Sequence, residues 1–182
     1  MTTGESTRTA RATRARVALA VTAALLAAVD LSLKAWASRA LADGSSVDLG
    51  VIQLRLTFNP GVAFSLGDTL PGSVVLGVTG LIVPGLAVFA WRTSRTATLP
   101  MRLGLAAVLA GAIANLADRA ADGIVTDYLH TGWFPTFNLA DVFITLGAAA
   151  LVLTSLRATD SAANKASEPS THAEHPSASE NR

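Results

Sequence analysis

The chain has 182 residues, one domain's worth, and 51% of them are apolar while only 15% are charged. A soluble globular domain carries about 25% charge, so the balance points to a membrane protein. A formal net charge of +1, with arginines at segment ends, argues against a nucleic-acid surface; the lack of cysteine excludes disulfides, a thiolate nucleophile, a Cys-type metal site and cysteine lipidation of the chain itself.

Residues 1–16 are Thr/Ala/Arg-rich, with Arg8, Arg11, Arg14 and Arg16 ahead of the first apolar run. The run 17–37 has the length of a membrane span, which takes about 20 residues. A basic start before an apolar run also resembles a secretory signal peptide, with Ala35-Trp-Ala37 as its cleavage site. The length of the run, and Asp30 and Lys34 within it, favour an uncleaved span. Further spans are expected at 71–91, 101–117 and 139–156. Arginine placement sets the orientation. The amino terminus, the Arg92/Arg95/Arg102 loop and the Arg157/Lys165 end then share the cytoplasmic side, and 38–70 and 118–138 face outward. Trp36 and Trp133 suit the outer interface and Trp91 the inner one.

In the first outer loop Ile52, Leu54, Leu56 and Phe58 alternate with Gln53, Arg55 and Thr57, the period-2 pattern of a strand with one apolar face. It runs into Asn59-Pro60-Gly61-Val62, which fits a type II turn. Its companion is either 63–66 or 46–50, giving a small sheet on the membrane surface. Residues 158–182 hold no aromatic residue and too little apolar surface to offset ordering entropy, so they read as a disordered tail.

The chemistry concentrates on carboxylates at the edges of apolar segments. Ionisable groups at membrane depth are costly, and chains that keep them usually use them. Asp127 follows the third span and Asp141 opens the fourth, so a return loop of about a dozen residues can bring them together. Two close carboxylates cannot both ionise easily, and a pair sharing a proton is aspartic-protease machinery. The bland alternative is a solvated Asp127 and a helix-capping Asp141. Asn115, Asp118 and Arg119 read as hydrogen bonds and an ion pair fixing the exit of the third span, with Asp118 a lesser catalytic candidate. Asp30 and Lys34, at i and i+4, read as a mutual ion pair or as site-lining groups. Gly104, Ala107, Gly111 and Ala114 give the third span a small-residue face for close packing. His172 and His175 lack a helical metal-binding frame, His130 is an interface residue, and a Ser65–Lys34 dyad has no fixed geometry in its favour.

Four ordered segments resemble the bacterial lipoprotein signal peptidase family, also called signal peptidase II. They are Asp30-Leu-Ser-Leu-Lys34, Asn59-Pro-Gly-Val-Ala-Phe64, Asn115-Leu-Ala-Asp-Arg119 with Gly123-Ile-Val-Thr-Asp127, and Phe137-Asn-Leu-Ala-Asp141. The resemblance implies an all-α membrane fold of four spans, with a small extracytoplasmic sheet and a surface loop or helix over the site. It implies a catalytic dyad of Asp127 and Asp141. Supporting or substrate-contacting roles follow for Asp30, Lys34, Asn59, Gly61, Asn115, Asp118, Arg119, Asn138 and Ala140. It implies a substrate, a prolipoprotein carrying a diacylglyceryl-modified cysteine, cut on the amino side of that cysteine without metal or cofactor. The expected setting is the bacterial cytoplasmic membrane, among its lipids, with both termini cytoplasmic, the site near the outer face, and a monomeric enzyme. A proton-relaying or non-enzymatic membrane protein is the alternative. Departures are Leu31, Val62 and Ala114, and a short loop between the two aspartates.

Overall fold

The computed structural model describes residues 3–60 and 71–167. Gly61, Val62 and with them the second half of the expected turn, Ser65, the candidate strand 63–66, and His172 and His175 lie outside them. Four helices, α1 (Thr3–Ala40), α2 (Gly72–Thr93), α3 (Leu99–Asp122) and α4 (Leu139–Ser167), are joined with three strands, β1 (Ser46–Asp48), β2 (Gln53–Asn59) and β3 (Val125–His130). All four helices are long and apolar enough to cross a membrane.

Three helices outrun the expected spans. α1 begins at Thr3 and α4 ends at Ser167, so 3–16 and 158–167 are helical where a basic arm and a disordered tail were expected. The hydropathy boundary marks where apolar surface ends, whereas Ala and Arg go on favouring helix past it. At 1.5 Å per residue α1 is about 57 Å long, well beyond a hydrocarbon core of about 30 Å. α3 likewise continues to Asp122, where Gly123 takes a left-handed conformation (φ 88°) and its N–H caps the Arg119 carbonyl.

The helix core is built from small residues. Ala23, Ala27, Ala106, Ala110 and Ala114 are buried with Leu19, Leu105 and Leu109. A Cβ at Gly111 would strike the Ala140 carbonyl oxygen and lie 2.8 Å from Ile144 Cγ1, and one at Gly147 would sit 2.7 Å from the Gly104 oxygen. The small-residue face expected on α3 therefore brings α4 to backbone contact.

The sheet has the order β1-β2-β3 and is antiparallel throughout. Of the two candidate partners for β2, the 46–50 segment supplies β1, with Val47 opposite Leu54. The register with β3 shifts between Leu54/Leu129 and Thr57/Asp127, leaving Arg55 and Leu56 opposite Tyr128 alone, a bulge. Leu54, Leu56, Tyr128 and Leu129 pack onto Ala37 and Leu41 at the end of α1. Thr57, Asn59 and Asp127 are left on the other face.

Candidate active site

The first turn of α4 organises the site. A helix leaves its first N–H groups without intrahelical partners, and here groups from three parts of the chain satisfy them. Leu139 N–H donates to the Tyr128 hydroxyl at 3.3 Å, Ala140 N–H to Asp30 Oδ1 at 2.9 Å, and Asp141 N–H to Asn138 Oδ1 at 3.0 Å. Asp141 Oδ2 accepts the Asn138 N–H in return at 3.3 Å. This is the reciprocal bonding of a capping box, with Asp in the place usually held by Glu. Asp141 thus has the capping role of the bland reading, with Oδ1 directed to another partner, Asn115.

Asp127 reaches the same place from the sheet. The loop after β3 folds back so that Leu129 and Phe137 exchange backbone hydrogen bonds at 2.8 and 3.0 Å, which sets Asn138 beside β3. Asn138 is fully buried and donates through Nδ2 to Asp127 Oδ1 at 2.6 Å. Asn59 Nδ2 donates to Asp127 Oδ2 at 3.3 Å. Burial first, and the Asp141 carboxylate second, push Asp127 up to about 6, against the pull of the Asn138 and Asn59 hydrogen bonds and the Lys34 charge. Asp127 and Asp141 line one open cavity of about 720 Å³, whose apolar walls include Phe134, Phe137, Val142, Ile144 and Leu146.

Behind the pair lies a buried ionic cluster. Lys34 Nζ is 3.2 Å from Asp30 Oδ2 and 3.3 Å from Asp118 Oδ2, and donates to Asn115 Oδ1 at 2.6 Å. Asn115 Nδ2 passes a 2.9 Å hydrogen bond on to Asp141 Oδ1. Asp118 Oδ2 also accepts the Thr126 N–H at 2.7 Å, tying β3 to the end of α3. Arg119 is buried within electrostatic reach of Asp118, Asp127 and Asp141.

A family model described as Signal peptidase (SPase) II matches residues 22–157, a stretch that contains every group named above. The chain belongs to the signal peptidase II family. It is therefore a signal peptidase, a hydrolase. Curated relatives agree. A "Lipoprotein signal peptidase" of Sinorhizobium fredii is 41% identical over 110 residues, 58% of this chain and 66% of the relative. One of Rhodococcus jostii is 37% identical over 150 residues, 78% of this chain and 73% of the relative. One of Brucella ovis is 36% identical over 130 residues, 69% of this chain and 81% of the relative. Two solved structures, each described as a bacterial membrane enzyme, share the fold. Their TM-scores are 0.70 and 0.64 at 20% and 23% identity, covering 86% and 76% of this chain and 94% and 92% of theirs. The signal peptidase is thus a multi-pass membrane protein.

Among the site residues expected from the sequence, Asp30, Lys34, Asn59, Asn115, Asp118, Arg119, Asp127, Asn138, Ala140 and Asp141 gather at one end of the bundle. Asp118 holds β3 and Lys34 rather than lining the cavity. Three oxygens surround the Lys34 ammonium, the Asn115 amide oxygen as a hydrogen-bond acceptor and those of Asp30 and Asp118 as ion-pair partners. His130, read as a loop residue, ends β3, with Nδ1 3.4 Å from Thr136 Oγ1. Tyr128 was missed. The one sequence signal for it is that it is the chain's single tyrosine and directly follows Asp127.

Proposed function

We propose that the chain is an aspartic endopeptidase that removes signal peptides from diacylglyceryl-modified prolipoproteins, cutting on the amino side of the lipidated cysteine. The observation that carries this reading is the pair Asp127 and Asp141, bridged by Asn138 and opening on one apolar-walled cavity. The names of the curated relatives supply the substrate class. The enzyme sits in the bacterial cytoplasmic membrane with both termini cytoplasmic, an orientation supported by the arginines near Arg14, Arg95 and Arg157. The site then lies at the outer face, where a diacylglyceryl anchor in the outer leaflet holds the scissile bond.

One carboxylate, ionised, takes a proton from a water as it attacks the scissile carbonyl. The other, protonated, donates to the carbonyl oxygen. Collapse of the gem-diol breaks the C–N bond as the first carboxylate passes its proton to the leaving amine, and one hydroxyl of the diol returns a proton to the second carboxylate. The apolar walls and burial favour the protonated form of Asp127, which is pushed up, so it can hold the proton that is donated. Lipid burial is worth roughly 0.8 kcal/mol per CH₂, but the bilayer already supplies most of that, so the acyl chains act chiefly by fixing depth and position.

The test is cleavage by purified protein in detergent of a diacylglyceryl-modified precursor and of the same precursor with serine in place of the cysteine. Complete processing of the first at enzyme levels that leave the second intact is expected. Comparable rates on both would make the chain a general membrane aspartic peptidase. No cleavage of either would favour a proton-relaying membrane protein.

A further inference from the structure

The end of the bundle away from the carboxylates holds a second set of charges, treated in the opposite way. Arg16 of α1 places its guanidinium over the ring of Trp91 in the last turn of α2, 5.0 Å from the centroid. Trp91 leads into the α2–α3 turn, where the Ala97 carbonyl accepts a 3.1 Å hydrogen bond from Arg102 Nη2. Both arginines are therefore held at this turn. At 1.5 Å per residue Arg16 lies about 27 Å along α1 from Lys34, and Arg102 about 24 Å along α3 from Asp118. Those spans approach a hydrocarbon thickness of about 30 Å. With the site at one membrane surface, Arg16 and Arg102 reach the other, where a half-exposed tryptophan such as Trp91 belongs.

Neither cation is neutralised. The Nε atom of each is enclosed by protein and has no hydrogen-bond partner. Among the described residues neither guanidinium meets a carboxylate. The sequence extends this to the surroundings. No acidic residue occurs from 6 to 29 or from 72 to 117, while Arg92 and Arg95 add two more cations at the same turn. Glu5 and Asp160, the described acidic residues of the helix extensions on this side, are exposed. Lys34, buried at the other end, has two carboxylates beside it. A partly buried charge without a partner is costly, so this end calls for an anion from outside the chain. Phosphate is the anion found at that depth, and a planar guanidinium seated on an aromatic face is well shaped to take it.

We infer that Arg16, seated on Trp91, and Arg102, tied to the α2–α3 turn, bind the phosphate of an anionic phospholipid headgroup in the leaflet opposite the active site. In the orientation proposed above this is the cytoplasmic leaflet. Both residues keep part of their surface open to it. The bound lipid supplies the missing counter-charge and links α1 to the α2–α3 turn.

The test is the thermal midpoint of the full-length protein in neutral detergent, titrated with phosphatidylglycerol, phosphatidylcholine or inorganic phosphate. Phosphatidylglycerol should raise the wild-type midpoint by roughly 5 °C or more at saturation, because a ligand of the native state stabilises it by mass action. Phosphatidylcholine, whose own ammonium answers its phosphate, should give less than half that rise, and so should inorganic phosphate. Arg16→Gln with Arg102→Gln should lose the rise. Arg8→Gln with Arg11→Gln removes as much charge from exposed positions and should keep it, which separates a built site from diffuse, screened attraction. If the first pair does not fold, Arg16→Lys with Arg102→Lys decides. Lysine keeps the charge without the planar fork, so less than half the rise should remain. The inference is overturned if phosphatidylglycerol stabilises the wild type no more than phosphatidylcholine or inorganic phosphate does. It is equally overturned if the folded Gln pair, or failing that the Lys pair, keeps the full rise, or if the Arg8/Arg11 variant loses it. Cleavage is not the readout, so the result is independent of the peptidase reading.

Discussion

The contact between α3 and α4 changes character along its length. At one end Gly104 and Gly147 face each other and a side chain on either would meet backbone, and at Gly111 a Cβ would strike the Ala140 carbonyl. A turn further along, Asn115 of α3 hydrogen-bonds Asp141 in the first turn of α4, which Asn138 caps, and Lys34 ties Asn115 to Asp118. The Gly104–Gly147 end has packing alone, and the polar end adds hydrogen bonds beside the buried Ala114 and Ala140. The first makes the second possible. Short polar side chains such as Asn and Asp bridge two helices only where the backbones already lie close, and lipid supplies no hydrophobic drive to hold them there.

The harshest way to break that arrangement is through its closest backbone approach. Gly111→Val should destabilise the protein by about 3 kcal/mol or more, because its nearest neighbour is the Ala140 carbonyl, which is backbone and cannot yield. Activity should disappear along with the thermal transition. Gly77→Ala in α2, where a Cβ meets nothing within 4 Å, should change the midpoint little or raise it. Equal effects at the two positions would mean that close approach is not what carries the site.

Asn138 sharpens the comparison from the polar end. Asn138→Ala removes the α4 cap and the donor to Asp127, so it should cost about 1–2 kcal/mol of stability and at least ~100-fold in kcat. Serine caps helices well but is too short to reach Asp127. Asn138→Ser should therefore recover much of the midpoint and little of the activity. Recovery of both would show that capping alone is what Asn138 contributes.

A smaller effect follows from Asp127, which burial and Asp141 push up from 3.8 to about 6. As pH rises the unfolded chain gives up this proton near 3.8 and the native chain only near 6. In that window the native state binds more protons, so stability falls with rising pH, by about 3 kcal/mol at most. Asp127→Asn should abolish the fall. Its thermal midpoint should match the wild type near pH 4 and exceed it at pH 7. A variant that keeps the wild-type slope would place the titration elsewhere.

Sequence patterns reach the four spans because each is a long apolar run, and β2 because Leu54 and Leu56 alternate with polar neighbours over one buried face. β3 escapes the same test. Val125, Thr126, Asp127 and Tyr128 are all buried, so the strand that carries Asp127 shows no alternation. Asp30 and Lys34 are recognisable as an i, i+4 pair. Nothing local reveals that Asp30 also receives the Ala140 N–H from 110 residues away, or that Lys34 reaches Asp118 and Asn115. Asp127 and Asp141 stand out because carboxylates are rare beside apolar segments. The family resemblance then singles them out from Asp118, whose bond to Thr126 N–H depends on a strand the pattern does not announce.

The most direct measurement is single-turnover cleavage of a diacylglyceryl-modified precursor by wild type, Asp127→Asn and Asp141→Asn, each purified from the membrane and shown to have a cooperative thermal transition. Asparagine keeps the shape of the carboxylate and cannot exchange the proton. The account predicts product from the wild type alone, with each variant slower by at least ~1,000-fold, as when a group that acts as one of a catalytic set is removed. Near-native turnover by either folded variant would contradict it.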